Sequence, residues 1–229
     1  MQFPQKKFIA LSIFPDMFSA LNCSIIARAI TNGHISIDTV DIRQFSENKH
    51  LTVDDTPFGG GAGMVMAAPP IYNAIQSVDP NREYYRIYLS PRGSVFSTTK
   101  AKHLAELPKN ILLLCGRYEG VDQRVIDMCI DEEISIGDYI LTGGELAGMV
   151  LIDAVARFIP NVLGSELSNI DESFSNSLLE YPQYTRPANF KNQPVPDILL
   201  SGNHGAIEKW RKEQSKLITA NRRPDLLNK

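Results

Sequence analysis

Two common phosphate-cradling signatures are missing from this chain of 229 residues. Neither G-x-G-x-x-G nor G-x-x-x-x-G-K-[ST] occurs, which disfavours nucleotide di- and triphosphates as ligands. Cysteine is scarce. Cys23, Cys115 and Cys129 lack CxxC spacing and stand among apolar residues, so they read as buried reduced thiols rather than a disulfide framework or zinc site. His34, His50, His103 and His204 are scattered, and no metal site is read from them. Long apolar runs are lacking too: Asp153 and Arg157 interrupt the longest candidate, 146–162, short of the ~20 residues that span a bilayer. The N-terminus has no basic-then-apolar pattern with a small-residue cleavage site, and a cytosolic protein is the expectation.

What the chain does contain is 43% hydrophobic and 21% charged residues, the balance of a globular protein with one large domain or two unequal ones. Three strand-like runs, each ending in a glycine-bearing loop, crowd its middle: 86–93, 111–120 and 133–144. Buried strand followed by permissive loop is how an α/β sheet aligns several backbone edges around one small ligand. Loops that offer backbone amides, carbonyls and a tyrosine suit an uncharged heterocycle such as adenine. Glu119 adds a carboxylate able to accept ribose hydroxyls or balance a cationic group.

The net charge of −3 conceals an asymmetry. Residues 181–229 carry nine Lys/Arg against four acids, a local +5, leaving −8 on the first 180 residues. A basic segment on an acidic body suits a polyanionic partner, because phosphate neutralisation releases counterions; a solvated helix face is the plainer alternative.

Along the chain, an apolar β-branched run 7–14, helical stretches beginning at Pro15-Asp16 and near Ile25, and a period-2 strand 34–41 open a β-α-β pattern. Pro69-Pro70 starts the next helix, through Val78. Strand 86–90, helix 98–107 and strand 111–115 form a βαβ unit, which favours a parallel sheet. Helical spacing at 121–130, strand 133–136 and a long helix 144–158 complete the first domain. A polar, aperiodic stretch follows, and then a helix from about 205 to 219 capped by Asn203. The expected organisation is an α/β domain over 1–160, a flexible linker over 161–180 and a small helical domain over 181–229.

Three further places invite a role. The glycine run 57–63, after Asp54-Asp55, reads as a lid or as a plain surface turn. Arg157 stands four residues after Asp153, a spacing that suits a helix-surface ion pair. Asp171-Glu172 lies in the polar stretch, where solvent-exposed acids are ordinary.

Taken together, Phe14-Pro15-Asp16-Met17-Phe18, Val53-Asp54-Asp55, Pro57-Phe58-Gly59-Gly60-Gly61, Tyr88-Leu89-Ser90-Pro91, Cys115-Gly116-Arg117-Tyr118-Glu119-Gly120, Ser135-Ile136-Gly137-Asp138-Tyr139, Thr142-Gly143-Gly144-Glu145, Arg157-Phe158-Ile159-Pro160 and Tyr184-Thr185-Arg186-Pro187 resemble the bacterial-type tRNA (guanine-N1)-methyltransferases of the SPOUT superfamily. The resemblance implies an α/β fold whose parallel sheet carries a deep trefoil knot, with a small all-helical C-terminal domain. It also implies a homodimer with cofactor sites at its interface, and methyl transfer from S-adenosylmethionine to N1 of the guanosine immediately 3′ of the anticodon in tRNA, with magnesium assisting. Carried over by position, it places the cofactor at Leu89, Ser90, Pro91 and Gly93, at Gly116, Arg117, Tyr118 and Glu119, and at Ile136, Gly137, Asp138, Tyr139, Ile140, Leu141, Gly143 and Gly144. Arg157 becomes the cation for the developing oxyanion, and Glu172, with Asp171 as the alternative, the general base. The family commonly has Asp where this chain has Glu172, and often His where it has Gln183. Methylation at another RNA position, or RNA binding by a vestigial cofactor pocket, are the alternative readings.

Overall fold

The computed structural model describes residues 5–164 and 172–228. By internal contacts the chain divides into two compact units, 1–164 and 165–229.

The first unit is built on a five-stranded sheet in the order β2-β1-β6-β5-β7, with every pairing parallel. Its strands are β1 (Lys6–Ser12), β2 (Ile35–Asp41), β5 (Tyr84–Val95), β6 (Asn110–Cys115) and β7 (Glu132–Ser135). A separate two-residue ladder pairs β3 (Asp54–Asp55) with β4 (Val65–Met66). The helices are α1 (Ser24–Thr31), α2 (Ala68–Val78), α3 (Thr98–Glu106), α4 (Gln123–Cys129) and α5 (Glu145–Ala156), with short 3-10 turns at Pro15–Leu21 and Ile42–Phe45.

Both faces of the sheet are covered, and the strands alternate between two cores. Phe8, Ala10, Ile111, Leu113, Cys115, Ile87 and Leu89 pack with residues of α1, α3 and α5. Ile9, Leu11, Leu112, Leu114 and Tyr88 pack with residues of α2 and α4. The central strand β6 buries five consecutive residues, Ile111 to Cys115, which is why its sequence is apolar throughout rather than alternating. α5 is apolar on nearly all sides, and Leu151, Ile152, Val155 and Ala156 are fully buried.

Two charged residues are tied into this interior. Arg86 and Asp79 are almost wholly buried and joined Nε to Oδ2 at 2.6 Å; the second Asp79 oxygen accepts from the Glu83 amide at 2.7 Å. Lys6 runs its buried stem to the carboxyl end of α3, where its ammonium donates to the carbonyls of Leu107 and Lys109, both at 2.8 Å. Those carbonyls are the acceptors that a helix end and its exit leave unfilled.

Strand β5 runs further than its apolar residues indicate. Leu89 and Ser94 both align with Ile134 of β7, so residues 90–93 leave the ladder as a bulge and the strand resumes beyond it. Gly93 brings the chain back so tightly that a Cβ there would lie 2.4 Å from the Glu133 carbonyl carbon and the Ile134 nitrogen. Cys23 also departs from expectation: it is exposed, whereas Cys115 and Cys129 are buried, and all three thiols are free.

The second unit contains α6 (Asp197–Leu200), α7 (His204–Arg222) and a 3-10 turn at Pro224–Asn228. Asn203 caps α7 through its side chain, accepting from the Ala206 amide at 3.1 Å. A two-residue hairpin ladder, β8 (Asn189–Phe190) with β9 (Gln193–Pro194), adds a β element that an all-helical domain would lack. Residues 172–180, expected in the linker, are hydrogen-bonded within this unit: Leu179 donates to Thr219 Oγ1 at 2.8 Å, and Glu180 to Ser173 Oγ at 2.9 Å. No helix among the described residues is long and apolar enough to cross a membrane.

Candidate active site

The carboxyl ends of β5, β6 and β7 surround a cavity of about 460 Å³. Each strand contributes one wall. The bulge after Leu89 supplies Ser90, Pro91 and Arg92; the loop after β6 supplies 116–121; the loop after β7 supplies Ile136, Gly137 and 139–144. Ala147 of the first turn of α5 closes the ring. Of the residues assigned to the cofactor by resemblance, only Gly93 and Asp138 stand off the lining. Gly93 has the backbone role described above.

The walls are held together by backbone. Gly144 donates to the Gly116 carbonyl at 2.9 Å, and Arg117 and Gly143 form an isolated antiparallel bridge. A Cβ on Gly144 would lie 2.9 Å from the Cys115 Cα, a distance real side chains do not occupy, so the start of α5 can lie this close to β6 only as glycine. Arg117 fastens the same seam from its side chain: Nη1 donates to the Thr142 carbonyl at 2.7 Å, and the guanidinium carbon sits 4.5 Å from the centre of the Phe14 ring. Arg43 stacks against that ring at 5.0 Å and also donates to the Ile13 carbonyl. Beneath the seam the buried Glu145 accepts from Ser12 Oγ at 2.8 Å, and its other oxygen lies 3.9 Å from Arg117 Nε.

Phe14, Arg43 and Tyr88 belong to this construction although composition and spacing single none of them out. Tyr88 precedes Leu89 at the end of the apolar run of β5, and Gly116 leaves room for its ring: a Cβ there would meet the hydroxyl at 2.9 Å. Burial foremost, then the charge of Glu133, raises the Tyr88 phenol. Tyr118 adopts a left-handed backbone, φ +57°, that presents its half-exposed ring at the mouth of the cavity. Its phenol is raised by partial burial first and by the charge and hydrogen bond of Asp54 next. Burial, and secondarily Glu145, pushes the Cys115 thiol well up, which keeps it a neutral core group.

Glu119 lies on the lining, and the glycine run 57–63 ends against it. The Glu119 amide donates to the Met64 carbonyl at 3.0 Å, and a Cβ on Gly63 would fall 2.4 Å from Glu119 Oε1. Phe58, at the tip of that run, is fully exposed.

Neither Arg157 nor Glu172 is among the lining residues. Arg157 is the C-cap of α5, whose N-cap, Gly144, is at the cavity. With 1.5 Å of rise per residue, the two ends of this helix are ~20 Å apart. Glu172 belongs to the second unit, where its carbonyl accepts from Ser175, and Asp171 lies outside the described residues. Among the described residues no group of three or more His, Cys, Asp or Glu is placed to hold a metal ion.

A doubly covered parallel sheet with one cavity at the carboxyl ends of three neighbouring strands defines an α/β ligand-binding protein whose ligand meets mostly backbone and apolar side chains. A family profile described as tRNA (Guanine-1)-methyltransferase TrmD matches residues 6–229. The chain is 52% identical over 226 residues to a tRNA (guanine-N(1)-)-methyltransferase of Ruminiclostridium cellulolyticum, with 97% of each chain covered. It is 48% identical over 227 residues to the enzyme of that name from Clostridioides difficile, covering 97% of this chain and 98% of the relative. The chain belongs to the tRNA (guanine-N1)-methyltransferase family.

Proposed function

We infer that this protein transfers a methyl group from S-adenosylmethionine to N1 of the guanosine immediately 3′ of the anticodon in tRNA, acting as a cytoplasmic homodimer. Family membership over nearly the whole chain is the observation that carries this reading.

The cavity suits the donor by its chemistry. Its volume of about 460 Å³ falls in the ordinary range for small-molecule sites, and Leu89, Ile134, Ile136, Ile140 and Leu141 supply apolar walls for a flat heterocycle. Backbone groups of 116–120 and 137–144 would take its polar edge, and Glu119 its hydroxyls or its cationic end. When bound, the donor presents an electrophilic methyl on a sulfonium that leaves as a neutral thioether.

The work left to the protein is on the guanine. N1 carries a proton, and an N1–methyl bond forms only as that proton departs and charge moves to O6. We assign proton acceptance to the Glu172 carboxylate and stabilisation of O6 to the fixed guanidinium fork of Arg157. Arg157 stands ten residues beyond Ala147 of the lining, ~15 Å of helical rise, and we assign it to the site of a second copy. Exposed Tyr139, Ile140, Leu146 and Val150, around the cavity and along α5, form the apolar surface such a copy would cover.

Support for the trefoil knot is the path after β7. That strand pairs with β5 on the side away from β6, yet the next residues cross the end of β5 to lie on the backbone of Cys115 and Gly116. The basic 181–229 segment, with Asn203-capped α7, is the part we assign to tRNA phosphates.

The test is labelled-methyl transfer to a defined transcript followed by nucleoside identification. N1-methylguanosine from the normal transcript, and no acceptance when the anticodon-adjacent guanosine is adenosine, is the expected pair. Acceptance by the adenosine transcript would redirect the assignment to another RNA position.

A further inference from the structure

The second unit has a cavity of its own, about 410 Å³, between the 181–188 segment and α7. Three aromatic side chains line it, Tyr181, Tyr184 and Trp210, together with two guanidinium groups, Arg186 and Arg211, over an apolar floor that includes Ile207. No carboxylate is among its lining residues. The rings are positioned rather than loose. Tyr184 and Trp210 have centroids 6.5 Å apart and planes tilted by 52°, and the Arg211 guanidinium carbon sits 4.8 Å from the centre of the Tyr181 ring. An aliphatic or peptide ligand would find apolar contact here but no use for two cations without an acid. A nucleobase uses both: its π-face stacks on the rings, and the phosphate beside it meets the guanidinium groups.

We propose that this cavity takes up one unstacked base of the RNA substrate, with the adjoining phosphate held by Arg186 and Arg211. The inference rests on the reading of the chain as a tRNA-modifying enzyme and adds a second place where the RNA is gripped by a base rather than by its backbone. The local charge of +5 over 181–229 draws the strand towards the cavity.

The chain has a single tryptophan, and it lies in this cavity, so tryptophan emission excited apart from the eight tyrosines reports on the site. Titrating the full-length protein, without methyl donor, with a single-stranded oligoribonucleotide should quench Trp210 to saturation. A blunt RNA duplex of equal charge should bind with little quenching. Tyr184→Ala and, separately, Arg211→Gln should each weaken the oligonucleotide response by about tenfold while far-UV circular dichroism and donor binding stay unchanged. Equal quenching by the duplex, or wild-type affinity in both variants, overturns the proposal. Emission that shifts with protein concentration in the absence of RNA also overturns it, since a second copy would then cover the cavity. Methyl transfer measured on the same preparation separates the two readings. Normal transfer with a silent Trp210 removes the base site alone, whereas quenching without transfer to any tRNA leaves the site and removes the enzymatic assignment.

Discussion

Glu172 carries the heaviest chemical assignment of any single residue, and its neighbour Asp171 is the natural control. Exchange of Glu172 for Gln keeps the shape and removes the proton acceptor, so methyl transfer should fall ~10²–10⁴-fold with donor affinity unchanged. Asp171→Asn should leave the rate near wild type; single-turnover transfer on a saturating transcript checks both. Lys6 makes a prediction of a different kind. Desolvation by burial lowers its pKa from 10.5 to about 8. Below pH 8 both folded and unfolded chains hold this proton, and the cost of burying the ammonium is fully felt. Between about 8 and 10.5 the unfolded chain binds more protons, so the contribution of this residue to stability rises with pH across that window. Urea unfolding at several pH values should show the rise in the wild type and lose it in Lys6→Met. Neither the lysine's burial nor its carbonyl partners are legible in Phe3-Pro4-Gln5-Lys6-Lys7, where two adjacent lysines look alike; only the strand's alternation, inward for one and outward for the other, separates them.

Among the elements, β6 and α5 are readable from composition: β6 is buried along its whole apolar run, and α5 is apolar nearly all round although Leu146 and Val150 are exposed. β5 is readable only to Leu89. Ser90-Pro91-Arg92-Gly93 has the content of a turn, and it is one locally, but the strand continues past it because β7 offers a second stretch of ladder. Such a resumption depends on a pairing partner distant in sequence, so no local signal encodes it. The same holds for the seam between Gly144 and Cys115, which glycine permits and only tertiary contact explains. The Arg86–Asp79 pair roots β5 at its other end. Asp79→Ala leaves a guanidinium buried without its acid and should lower stability by about 3–5 kcal/mol, read from denaturant unfolding; Arg86→Met in the same background should recover part of that loss.

At the scale of the whole molecule, the proposed mechanism draws on more than one chain. The residues that form the cavity were legible because three glycine-bearing loops share one sheet edge, but the distance to Arg157 was not, since a motif match has no geometry. If the cavity of one copy works with Arg157 of another, two inactive proteins should rescue each other. Mixing Arg157→Ala with a variant whose cavity is filled from its lining, such as Ala147→Phe, and allowing subunits to exchange should restore about a quarter of wild-type activity, because half the dimers are mixed and each of those has one intact site. Activity that stays absent after exchange, verified by tagged pull-down of mixed dimers, would place both groups in one chain.

The bulge at residues 90–93 is fixed to the sheet before and after it, by Leu89 on one side and Ser94 on the other. A wall secured at both ends has little configurational freedom left to surrender when a ligand arrives, so binding there is not opposed by the ordering of a slack segment. On this side a ligand of the cavity meets a preorganised wall, and discrimination there falls to shape.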